Sequence, residues 1–141
     1  MRIGASFALL AAFLGSAATP QDRIALSRTV YVETIDGAVG LRTVEPATSF
    51  RRGDRVILMI EWTGAEARKG TVVRSAIPTS LAFQQGSSEA LEVSVDGGRK
   101  WGRIGHLRVG ERLAAPEEVT HVRLKVHGKT GGRMTYSAIV R

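Results

Sequence analysis

Residues 50–83 read FRRGDRVILMIEWTGAEARKGTVVRSAIPTSLAF and hold two apolar, β-rich runs separated by a polar loop. A Gly53-Asp54 turn opens the first run, and apolar residues of 55–62 occupy both alternating faces, as in a central strand. Residues 71–77 form a second run, which ends at a proline because proline donates no amide to a sheet. The two runs predict paired central strands of a β-sandwich. The expected core residues are Val56, Leu58, Ile60, Trp62, Val93, Val95, Val122, Leu124 and Val126.

The rest of the chain repeats this pattern of short β-rich segments between turn residues. Further strands are expected at residues 30–35, 39–44, 81–83, 91–95, 101–109, 119–126 and 134–140. No segment carries a sustained helical period. This spacing of short strands is typical of an all-β sandwich or barrel.

The N-terminus has the three parts of a secretory signal peptide. Arg2 supplies a positive charge, residues 3–14 are apolar, and Ser16, Ala17 and Ala18 provide the small side chains that a signal peptidase reads. The apolar run is shorter than the ~20 residues of a membrane span, so cleavage after Ala18 is favoured over an uncleaved anchor. We expect residues 1–18 to be removed and residues 19–141 to form one domain with no transmembrane span. The expected location is the periplasm, the cell surface or the medium.

The charge of the chain bears on its partners. The 141 residues include 20 Lys and Arg against 13 Asp and Glu, a net charge of +7, and no cysteine. The lack of cysteine excludes disulfides, cysteine zinc sites and thiol nucleophiles. A positive surplus favours anionic partners, although it also keeps a small protein soluble. Export and the lack of a recognition motif argue against nucleic acid. An envelope protein or an anionic polysaccharide is the expected partner.

One hairpin carries a recognisable local motif. Residues 94–101 read SVDGGRKW and fit the Asp-box pattern Ser-x-Asp-x-Gly-x-x-Trp. We expect the Asp96 carboxylate to cap turn amides, glycine to take a positive φ, and Trp101 to pack on the hairpin. Asp boxes recur in sialidase-like propellers as structural turns. Ser94, Asp96, Gly98 and Trp101 are therefore predicted to be structural, with sugar binding by Trp101 as the alternative.

No set of residues indicates catalysis, a metal or a cofactor. His121 and His127 would lie about 20 Å apart on an extended strand, too far to share a metal. Ser94, His106 and Asp96 supply the residue types of a hydrolase triad, but no nucleophile elbow accompanies them. The sequence therefore predicts a protein that is not an enzyme and that holds no cofactor.

From Phe50 onward, the order of motifs resembles a family of bacterial secreted proteins known as the conserved repeat domain. The matching pieces are Gly53-Asp54, Thr63-Gly64, Ile77-Pro78, Leu81-Ala82-Phe83, Ser94-Val95-Asp96-Gly97-Gly98 and Glu118-Val119-Thr120-His121-Val122-Arg123. Together they span about two thirds of the chain after the signal peptide. Thr63 replaces the asparagine of the family pattern, and Ser75-Ala76 stands where an aspartate is common. The resemblance implies export and an immunoglobulin-like fold, but no reaction.

These observations lead to one fold and two hypotheses for function. The fold is expected to be an all-β, immunoglobulin-like antiparallel β-sandwich of roughly seven to nine strands. The first functional hypothesis is a non-enzymatic cell-envelope or periplasmic module with a structural or adhesive role. The alternative is a carbohydrate- or lipopolysaccharide-binding module that uses basic loops.

Overall fold

The structure is a computed structural model that describes residues 25–63, 71–126 and 131–141. The predicted signal peptide, residues 1–18, lies outside the described residues. A 3₁₀ helix spans Pro116–Glu118. The strands of the described residues are Ala25–Asp36 (β1), Leu41–Pro46 (β2), Arg55–Thr63 (β3), Val72–Ala76 (β4), Leu81–Gly86 (β5), Glu92–Ser94 (β6), Arg108–Val109 (β7), Arg112–Leu113 (β8), His121–Lys125 (β9) and Gly131–Val140 (β10).

Two antiparallel sheets of unequal width form the layers of the sandwich. The larger sheet has the strand order β2-β1-β3-β10-β5, and the smaller has the order β4-β9-β6. Strands β7 and β8 pair with each other in a separate ribbon. The described part of the chain thus places eight strands in the two sheets, and the predicted all-β sandwich is confirmed. The prediction that residues 55–62 and 71–77 form paired central strands is wrong for the second run, because β4 lies at an edge of the smaller sheet among the described strands and pairs with β9.

The core fills the space between the inward faces of the two sheets. Along β3, Val56, Leu58, Ile60 and Trp62 are at most 7% exposed, whereas the residues between them are half-buried. The strand is therefore central, with complete burial on one face and partial burial on the other. Of the partners expected from other strands, three are buried and two pack partly buried against the core. The buried partners are Val93, Val122 and Val126, and the partly buried ones are Val95 and Leu124.

The Gly53-Asp54 turn ties the start of β3 to the end of the chain. Gly53 has a φ of +91°, a conformation that glycine adopts without strain. Its amide donates to the carbonyl of Val140 at 2.8 Å, and the amide of Val140 donates to the carbonyl of Asp54 at 2.9 Å. The Asp54 carboxylate also accepts the amide hydrogen of Arg51 at 2.7 Å. These hydrogen bonds hold the register between β3 and β10.

The prediction of one returning strand at residues 101–109 is wrong. Within this segment, Gly102 forms an isolated bridge to Val93, with amide–carbonyl distances of 2.7 and 3.0 Å. The chain then turns, and Gly105 takes a φ of +90°. The two glycines interrupt the extended segment, because glycine weakens a strand and favours turns. The chain becomes extended again only at β7, which pairs with β8 and not with β6.

Strands β1 and β2 form a hairpin that extends beyond the rest of the sheet. Strand β3 pairs with β1 as far as Glu33, so residues 34–36 pair with β2 alone. Four apolar side chains of this hairpin are 47–72% exposed, and they are Ile35, Val39, Leu41 and Val44. The register places Ile35 and Val44 on one face of the hairpin and Leu41 on the other, so apolar side chains are exposed on both faces and do not contribute to the core.

Replacing Leu58 by alanine should lower the free energy of unfolding by about 2–5 kcal/mol, because it leaves a cavity in the core. The matched control is Leu41→Ala at a position that is 59% exposed, where the change should stay within about 0.5 kcal/mol. Urea unfolding followed by tryptophan fluorescence measures both values. A loss below about 1 kcal/mol for Leu58→Ala would contradict the placement of this side chain in the core.

Candidate binding surface on the three-stranded sheet

Residues 94–101 form a tight turn that is held by side-chain hydrogen bonds. The Asp96 Oδ1 atom accepts the amide hydrogens of Arg99 at 3.1 Å and Lys100 at 2.9 Å. It also accepts the hydroxyl hydrogen of Ser94 at 2.8 Å. These bonds, the one from the Lys100 amide most of all, lower the pKa of Asp96. The carboxylate thus caps its own turn.

The turn is anchored to neighbouring strands through Ser94 and Thr120. Ser94 is fully buried, and its Oγ atom accepts the amide hydrogen of Gly98 at 2.9 Å. Gly97 and Gly98 have φ angles of +78° and +91°, which L side chains rarely adopt. The amide of Gly97 donates to Thr120 Oγ1 at 3.1 Å, and that hydroxyl donates to the carbonyl of Ser94 at 3.2 Å. The turn therefore keeps a defined position beside β9.

Trp101 is half-buried and has contacts on several sides. Its Nε1 atom donates to the carbonyl of Gly98 at 2.9 Å. The ring of His121 lies edge-on, with 6.4 Å between ring centroids. The guanidinium carbon of Arg123 lies 4.6 Å from the centroid of the Trp101 ring, within the range of a cation–π contact. This face of the indole is therefore occupied by a cation and is not open to a sugar ring.

The outer face of the smaller sheet and the loop beside it form a positively charged surface, the basic face, made of Arg74, Arg103, Arg123 and Lys125. Arg74 lies directly opposite Arg123 across β4 and β9, and Lys125 points to the same side. Glu92 accepts from Arg123 Nε at 2.7 Å. This hydrogen bond lowers the pKa of Glu92 most, and the charges of Arg123, Lys125 and Arg103 add to that effect. Several cations thus surround one carboxylate.

The basic face keeps an excess of positive charge. Like charges placed directly opposite each other on paired strands repel, as Arg74 and Arg123 do here. Glu92 pairs with Arg123 and leaves Arg74 without an ion pair among the described residues. A bound anion would relieve this repulsion. The arrangement can therefore attract and hold an anion.

The residues considered for catalysis do not form a triad. Ser94 is buried and already hydrogen-bonded to Asp96, so its hydroxyl is not accessible to a substrate. His106 lines a separate cleft of about 340 Å³, together with Arg103. His127 lies outside the described residues, and His121 contacts Trp101 and Thr120. In the described ranges, no three His, Asp or Glu side chains gather in a group that could hold a metal ion.

Comparisons with models of protein families, with curated proteins and with solved structures give no match for this chain. Within the described residues, none of the helical segments has the length and apolar character to cross a membrane. The resemblance to the conserved repeat domain family stays a prediction.

Sequence reasoning found part of the basic face and missed the rest. Alternation along β9 placed Arg123 and Lys125 on one face, and their pattern was visible in the sequence. The opposition of Arg74 and Arg123 depends on the register between two strands far apart in sequence. The stacking of Arg123 on Trp101 likewise depends on where the turn folds against β9.

Asp96→Ala should lower the melting temperature more than Asp36→Ala, because Asp96 caps two amides and Asp36 caps one. The pKa of Asp96 is lowered in the fold, so its stabilising effect is full above 3.8, the ordinary value. The effect is lost as the pH falls from there through the lowered pKa. Thermal unfolding of the wild type and both variants over this pH range should show that the difference in melting temperature between the wild type and Asp96→Ala shrinks as the pH falls. Equal melting temperatures of the two variants would contradict a structural role for Asp96.

Proposed function

We propose that this protein is a non-enzymatic, exported module of the cell envelope that holds an anionic polysaccharide on its basic face. The observation that carries the proposal is the cross-strand pair of Arg74 and Arg123, with Lys125 on the same face. Export follows from the predicted signal peptide, residues 1–18. Cell-envelope polysaccharides such as lipopolysaccharide carry the phosphate and carboxylate groups that such a surface attracts.

The chemistry of the basic face suits repeated anionic groups. Guanidinium groups form paired hydrogen bonds to carboxylate and phosphate oxygens, and an ammonium group adds a point charge. Arg123 is held in place by Glu92 and by the ring of Trp101. Arg74 lies opposite it on β4 and Lys125 two residues further along β9, and both are exposed. A polymer that carries several negative charges can therefore bridge these three cations at once.

A non-enzymatic role is supported by the use of polar groups in the Asp96 turn. The hydroxyl of Ser94 and the carboxylate of Asp96 are joined to each other and to backbone amides. Groups that satisfy turn amides in this way stabilise a fold, and a nucleophile or general base must instead face a substrate. The turn therefore positions Trp101 and leaves binding to the cations around it.

The test compares two double variants that each remove two positive charges. Arg74→Gln with Lys125→Gln should weaken retention on immobilised lipopolysaccharide at least about tenfold, because each charge lost removes a contact to the polyanion. Arg51→Gln with Arg52→Gln is the matched control, since both positions are exposed in the loop before β3. Retention of the wild type should fall as salt is added. Dextran, which is uncharged, should not retain the protein.

Two results would contradict the proposal. Equal loss of retention in both double variants would show that net charge matters and that the basic face does not. Retention that survives the Arg74→Gln and Lys125→Gln changes would place the polysaccharide elsewhere on the protein. Circular dichroism of each variant establishes that the sandwich is folded before binding is compared.

The extended β1–β2 hairpin favours a second candidate function, a structural or adhesive contact with an envelope protein. Strand β2 pairs with β1 on one side, and none of the described strands pairs with its other side. Its backbone can therefore accept an extended segment of a partner as an additional strand. Val39, Leu41 and Val44 supply apolar side chains beside that edge. An extended apolar segment of an envelope protein fits this combination.

A photoreactive side chain at position 39 tests this contact. Val39→p-benzoylphenylalanine should form an adduct with an envelope protein in isolated envelopes, because this position is 72% exposed at the hairpin tip. Arg52→p-benzoylphenylalanine is the control at a separate exposed loop. Adding Leu41→Ser should reduce the position-39 adduct by removing an apolar contact. Identical adducts from positions 39 and 52, or adducts with lipopolysaccharide alone, would contradict a specific protein partner.

A further inference from the structure

A cleft of about 370 Å³ opens between the two sheets beside β4. Most of its wall is apolar and consists of Leu58, Met59, Ile60, Ala76, Ile77 and Pro78. Three polar residues, Arg28, Ser75 and Tyr136, also line it. A cleft of this size with an apolar wall and a few polar groups is typical of a site for a small molecule.

Tyr136 brings a hydroxyl group without a partner to this cleft. The residue is 1% exposed, and its hydroxyl oxygen has no hydrogen-bond partner among the described residues. Burial raises the pKa of Tyr136 to about 12, and the charge of Arg28 acts in the opposite direction. Buried hydroxyl groups nearly always have a partner, because an unpaired donor is destabilising. The described chain offers this donor no acceptor.

Arg28 and Ser75 reach the cleft from different sheets. Arg28 on β1 lies opposite Ile60 on the inward face of the larger sheet, and it is exposed. Ser75 on β4 is buried, and its hydroxyl reaches the carbonyl of Ala76 only at 3.4 Å, which is long for a hydrogen bond. Among the described residues that line the cleft, Arg28 is the one that carries a charge. One cation and two weakly engaged hydroxyl groups thus share the cleft.

We propose that this cleft binds a small amphipathic carboxylate, with its aliphatic chain between the two sheets. The carboxylate pairs with Arg28 and accepts hydrogen bonds from the hydroxyl groups of Tyr136 and Ser75. A single cation matches a single negative charge, which favours a carboxylate over a doubly charged phosphate group. The apolar wall favours an aliphatic chain over a sugar. The site is separate from the basic face, since the two share no residue.

Binding of octanoate, measured by isothermal titration calorimetry, tests the class of ligand. Octanoate should bind with one-to-one stoichiometry, and acetate and 1-octanol should each bind at least about tenfold more weakly. Acetate lacks the chain that contacts the apolar wall, and 1-octanol lacks the charge that pairs with Arg28. Octanoate that binds no more tightly than 1-octanol would overturn the proposal, because the polar end of the cleft would then contribute nothing.

Two variants in the cleft and two controls locate the site. Arg28→Gln should weaken octanoate binding at least about tenfold and leave 1-octanol binding unchanged, whereas Arg52→Gln should change neither. Arg74→Gln with Lys125→Gln should also leave octanoate binding unchanged, which separates this cleft from the basic face. Tyr136→Phe keeps the buried ring and removes only the hydroxyl group. It should weaken octanoate binding by about tenfold without lowering the melting temperature of the free protein.

The Tyr136→Phe result decides between a ligand and a structural partner. A lower melting temperature of the free variant would overturn the proposal, because it would show that the hydroxyl group is already satisfied, for example by an ordered water molecule. Unchanged octanoate affinity in Tyr136→Phe or Arg28→Gln would overturn it as well, since the carboxylate would then lie elsewhere. A weaker complex with an equally stable free protein would support it.

Discussion

The alternation of buried and half-buried side chains along β3 is the constraint on which the sandwich depends. Successive side chains of a strand point to opposite faces, so a shift of one residue would move the whole buried row, Val56 to Trp62, out of the core. The Gly53-Asp54 turn prevents such a shift, because its hydrogen bonds to Val140 hold β3 against β10. The same register determines which residues face solvent on the outer side of the larger sheet.

On the smaller sheet, the Asp96 turn both stabilises the fold and positions side chains of the basic face. The carboxylate orders the turn, the turn places Trp101, and the indole ring lies under Arg123. The structural and the sugar-binding hypotheses for Trp101 are therefore not independent, because a change in the turn would also move a cation of the basic face. Tryptophan combines a large apolar ring with an N–H group that usually finds a hydrogen-bond partner, so a single side chain can serve both the fold and the surface.

The core and the surface also differ in how polar groups are satisfied. On the basic face, Glu92 offsets part of the charge, and water and salt screen the rest. Inside the sandwich no such screening exists, so the hydroxyl of Tyr136 stands out among apolar neighbours. The two proposed ligands differ accordingly: a polymer with many charges is proposed for the basic face, and a small molecule with one charge for the cleft.

The sequence by itself determined the central strand, the core row of β3 and the Gly53-Asp54 turn. These features depend on period-two alternation and on local turn chemistry, which neighbouring residues encode. The prediction of a strand at residues 101–109 was wrong, because a turn at Gly105 interrupts the segment after the bridge of Gly102 to Val93, and β7 then pairs with β8. Only the tertiary structure decided that Arg74 faces Arg123 and that Arg28 and Tyr136 share a cleft. These contacts join strands distant in sequence, and register and sheet packing, not local pattern, bring their side chains together.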